Sequence, residues 1–66
     1  MTPAIEALKA KIYANNVKIF ADMIAWFDRR AAWHRAQGNI ERAESLEAKA
    51  TEWRAKRDAY KEARGI

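Results

Sequence analysis

VKIFADMIAWF, residues 17–27, holds nine apolar residues in eleven, interrupted only by Lys18 and Asp22. A helix on the surface of a small monomer buries one apolar stripe and leaves its other faces polar. This stretch carries too much for a single stripe, and its neighbours on either side show why. Ile5, Leu8, Ile12, Asn15, Ile19, Met23, Trp26, Arg30 and Trp33 follow one another by steps of three and four. Tyr13, Val17, Phe20, Ile24, Phe27 and Ala31 form a second series of the same kind. At 100° per residue the two stripes lie roughly 100° apart on one helix. Residues 17–27 are dense because both stripes cross them.

The punctuation around this helix is sparse. Thr2-Pro3 reads as an N-cap followed by proline at the first helical position. Nothing then interrupts the helical pattern until Gln37-Gly38-Asn39, where Gly38 suits a left-handed position and Asn39 can cap a second helix. Gly65 closes that second helix. Alanine is abundant and β-branched residues are few, so propensity agrees with pattern. The expected fold is all-α: one domain over residues 1–66, with helix 1 at about 3–36, a turn at 37–39 and helix 2 at about 40–64. A turn this short makes the helices an antiparallel hairpin. Only one hairpin is present and no internal period recurs, so a tandem-repeat architecture is excluded.

Helix 2 has a single heptad seam, Ala43, Leu46, Ala50, Trp53, Arg57, Tyr60 and Arg64, with charged residues or alanine elsewhere. One stripe of helix 1 can face it, and the other needs a different cover. Counted outward from Gly38, helix 2 runs out opposite about Ile12, which leaves Ile5 and Leu8 without an intramolecular partner. The economical solution is a two-fold homodimer in which helix 1 packs on its copy and the hairpins form a four-helix bundle. Ile5, Leu8, Tyr13, Val17, Phe20, Ile24 and Phe27 are the candidate dimer interface. Size points the same way. Sixty-six residues stand near the lower limit for a single core, and chains this short lean on disulfides, a metal or a second subunit. There is no cysteine, and one histidine, His34, supplies too few ligands for a His-based metal site.

Chemistry is equally sparse. No nucleophile stands next to a base, no glycine-rich loop could cradle a phosphate, and no carboxylates cluster with histidine. Neither an enzyme nor a cofactor is expected. The amino-terminal MTPAIEALKAK lacks the basic start and apolar run of a signal peptide, and no window approaches a membrane span. A cytoplasmic protein without a membrane partner is the resulting expectation.

What remains is surface. Trp53, Arg57, Tyr60 and Arg64 fall on successive turns of helix 2, and clustered Arg, Trp and Tyr are the composition of interface hot spots. Arg42, Lys49 and Lys56, seven apart, form a basic ridge on one flank of helix 2. These seven residues are the candidate partner-binding surface. Lys11, Lys18 and Arg29 form a comparable ridge on helix 1, and the formal net charge is +4. Together the features point to a non-catalytic protein–protein interaction module. In length, two-helix layout and charge the whole chain resembles the small accessory proteins with which temperate phages inhibit host factors, dimeric helical-hairpin anti-activators of quorum-sensing transcription factors among them. That resemblance implies occlusion of a functional surface on a host regulatory protein, and it assigns no residue. Two alternatives stand beside it. One is a Rop-type dimeric bundle binding structured RNA through Lys11, Lys18 and Arg29, with binding that weakens steeply as salt rises. The other is a structural assembly or scaffold protein.

Overall fold

The structure, a computed structural model, describes residues 2–66. It is two helices, α1 (Pro3–Ala36) and α2 (Ile40–Arg64), laid against each other as a hairpin. Each end is closed as its residues dictate. The Thr2 hydroxyl accepts from the Ile5 amide at 3.3 Å, and Pro3, with no amide to satisfy, follows it. At the turn, Gly38 adopts φ 82°, its amide donates to the Arg35 carbonyl, and the Asn39 amide donates to the His34 carbonyl at 2.9 Å. These two bonds satisfy carbonyls that the last turn of α1 would otherwise leave unpaired. The Asn39 side chain then accepts from the Arg42 amide and starts α2. Gly65, at φ 68°, repeats the closure, with Ile66 donating back to the Lys61 carbonyl.

Near the turn the helices meet through small residues. Ala43 and Ala50 are fully buried, and Ala31, Ile24 and Leu46 nearly so. The contact has alanine on both sides, Ala31 from α1 and Ala43 and Ala50 from α2. Farther from the turn the packing becomes aromatic. The Phe20 ring lies 5.8 Å from Trp53 and 5.5 Å from Tyr60, and Tyr13 meets Tyr60 edge-on at 6.3 Å. The Asn16 amide donates to the Tyr60 hydroxyl at 2.8 Å, a polar contact that ties the register of α1 to that of α2. Ion pairs of Arg35 with Glu47 near the turn and of Arg54 with Asp28 farther along bridge the helices. Both are partly solvated, and pairs of that kind contribute less than about 1 kcal/mol each.

The structure reverses the expected use of the two stripes. Tyr13, Val17, Phe20, Ile24 and Phe27, expected to face a second molecule, lie on the side of α1 turned toward α2, where Ile24 and Ala31 are buried and the others half-buried. The reason lies in α2. Its seam in the turn-proximal half is alanine and leucine, which admits Ala31 and Ile24 but would be held apart by Trp26 or Trp33. The bulkier stripe is therefore the one left outside.

The molecule is long and thin, 55 × 16 × 10 Å, with a radius of gyration of 15.8 Å. A compact chain of this length would have a radius near 11 Å. One layer of two helices has no second layer to cover its other faces.

Candidate interaction surface

The surface that stands out on α1 is the uncovered stripe. Ile5, Leu8, Ile12, Ile19, Trp26 and Trp33 each expose between 47% and 59% of their area, on one side of one helix. From Ile5 to Trp33 is 28 residues, or about 42 Å of helix. Apolar residues scattered singly on a surface are ordinary, whereas these line one face of a single helix, interrupted by Asn15 and Arg30.

Its turn-proximal end is also ordered by charge. The Arg30 guanidinium lies 5.9 Å from the Trp26 ring centre and 5.5 Å from that of Trp33. Steps of four and three stack the three side chains on one face, so the cation is held between two indoles. Arginine flanked by tryptophans, half in solvent, has the composition of an interface anchor.

The residues singled out on α2 divide into separate groups. Trp53 and Tyr60 are half-buried and pack against Phe20, so they join the helices. Arg64 lies over the Tyr60 ring at 3.7 Å and over Tyr13 at 5.5 Å, capping the aromatic stack at the open end of the hairpin. Arg57 pairs with its neighbour Asp58 at 3.1 Å. Lys49 and Lys56 both reach Glu52, at 3.5 and 3.8 Å, and Lys56 also sits over the Trp53 ring. The two lysines thus share one carboxylate and keep a net positive charge, while Arg42 lines a shallow depression with Asn39, Glu41 and Ser45. On α1 the ridge of Lys11, Lys18 and Arg29 has no ion pair among the described residues.

Of the residues expected at a dimer interface, the structure leaves Ile5 and Leu8 exposed and turns the remainder inward. Ile12, Ile19, Trp26, Arg30 and Trp33 were absent from both candidate sets. A usable signal existed: Ile5, Ile12, Ile19, Trp26 and Trp33 recur every seven residues without exception.

Among the described residues no group of three or more His, Cys, Asp or Glu side chains could hold a metal ion. No helix is long and apolar enough to cross a membrane. No protein-family model, curated protein or solved structure matches the chain.

Proposed function

We propose that this chain is a non-catalytic protein-interaction module. It works as a homodimer joined through the outer stripe of α1 and regulates a partner protein, such as a transcriptional regulator, by covering a surface that partner needs. The observation that carries the reading is the uncovered stripe itself. A folded monomer of 7.6 kDa exposes about 4,300 Å² by the scaling for soluble proteins. This hairpin exposes 4947 Å², a surplus of about 650 Å². Two such surpluses brought together make about 1,300 Å², inside the range of specific, stable interfaces. The apolar part of the covered area contributes roughly 25 cal/mol per Å² on leaving water, before the entropy of association is subtracted.

Once that stripe is taken by a second copy, the arginines at the open end of α2 are the anchors left for a foreign protein. Arg64 supports this role, because its guanidinium lies over the Tyr60 ring at 3.7 Å and the residue remains exposed. The test is capture of a stoichiometric protein by the tagged dimer, compared with an Arg57→Ala/Arg64→Ala dimer. Capture that falls at least tenfold in the variant supports the reading, and equal capture by both contradicts it.

A second reading has one specific observation in its favour. Lys11, Lys18 and Arg29 have no ion pair among the described residues, and a Rop-type dimer would offer them twice over to the phosphates of structured RNA. Binding of that kind weakens steeply between low and physiological salt. Undetectable binding to structured RNA at low salt removes it.

A further inference from the structure

The outer stripe of α1 is a palindrome in its spacing. From Ile5 to Trp33 the steps are three, four, three, four, then four, three, four, three, with Ile19 at the centre. We infer that two copies pair antiparallel along α1, with the two-fold axis passing beside Ile19. This rests on the homodimer proposed above and assigns its orientation.

The spacing alone makes an antiparallel pair self-matching, because turning a copy end for end about Ile19 returns every stripe position to a stripe position. Side-chain size then agrees. The turn-proximal half of the stripe carries both tryptophans, and the other half carries isoleucine and leucine. End-for-end pairing sets Trp33 beside the partner's Ile5, and Trp26 beside the partner's Ile12. Each large side chain meets a smaller one, the alternation by which helix layers interdigitate. The aliphatic stem of Arg30, already fixed between Trp26 and Trp33, falls beside the partner's Leu8.

A parallel pair would set Trp33 against the partner's Trp33, Trp26 against the partner's Trp26, and Arg30 against the partner's Arg30. Two guanidinium groups would then face each other within an apolar seam, with no carboxylate on the stripe to compensate them. It would also put both overhanging amino-terminal turns of α1 at one end. The antiparallel pair instead lays each overhang, with its exposed Ile5 and Leu8, along the turn-proximal half of the other hairpin. Charges on the rim do not decide the matter. Lys18 lies beside the partner's Asp22, while Lys11 lies beside the partner's Arg29, and exposed contacts of either sign contribute little.

The chain has no cysteine, so single cysteines report pairing cleanly. The molar mass of the wild type comes first: a monomer at working concentration overturns the dimer itself, whatever its orientation. Given a dimer, helices 8–10 Å apart bring facing Cα atoms at the two-fold within disulfide reach. Ile19→Cys should then cross-link to itself on oxidation. Ile5→Cys and Trp33→Cys should each stay uncross-linked alone and form a covalent heterodimer when mixed. Self-linkage of both end variants would establish the parallel pair and overturn the proposal, as would a wild-type dimer in which no variant links. A spin label off the stripe, on Ala36→Cys, gives an independent reading. Two such labels lie about 50 Å apart in the antiparallel dimer, and a separation below about 20 Å contradicts it.

Discussion

Gly38 shows how much of the hairpin depends on one backbone angle. At φ 82° a residue with a Cβ is strained by roughly 1–2 kcal/mol, although a Cβ built there would meet nothing within 4 Å. Gly38→Ala should therefore lower stability by about 1 kcal/mol in denaturant unfolding, with helix content unchanged in the folded baseline. Tyr60 bears on register in a similar way. Tyr60→Phe keeps the ring against Phe20 and Tyr13 but leaves the Asn16 amide without its acceptor, at a cost of about 1 kcal/mol. A loss of less than a few tenths would mean that water replaces the hydroxyl without penalty. The glycine and the asparagine caps were legible in the sequence because their chemistry is local. The Asn16–Tyr60 bond was not, since it joins residues 44 positions apart and depends on which side of α1 faces in.

For the elements, the decisive feature is the alanine seam. Ala50 is fully buried between the helices, so Ala50→Leu should destabilise the hairpin by about 1–3 kcal/mol through overpacking. Trp33→Ala, on the exposed stripe, removes a ring from beside Arg30 but should leave the packing between the helices alone and act on association instead. Comparing the two variants by circular dichroism and by molar mass separates the roles of the two faces. The sequence made plain that α1 carries two stripes and that α2 can cover only one. It did not say which. Both stripes share the same period and similar hydrophobicity, and the choice turns on volume: alanines on α2 admit Ala31 and Ile24 and exclude tryptophan. Periodicity reports where apolar side chains point, whereas close packing depends on how deep the opposing holes are. The same limit applies to the basic ridge of α2, whose spacing was correct but whose Lys49 and Lys56 share Glu52.

The whole molecule is a single layer, with a radius of gyration nearly half as large again as a compact chain of its length. The proposed homodimer would gain stability by association, and its unfolding would then be tied to concentration. A tenfold rise in protein concentration should raise the midpoint of thermal unfolding by several degrees, and the dependence should vanish in a Trp26→Ala/Trp33→Ala variant. A midpoint independent of concentration in the wild type would show that the hairpin is stable alone. The most direct test is molar mass by light scattering at micromolar concentration. A second copy over the outer stripe of α1 gives twice the 7.6 kDa of one chain, reduced toward 7.6 kDa by the double tryptophan variant. A wild-type mass of 7.6 kDa, with cooperative unfolding, would contradict it.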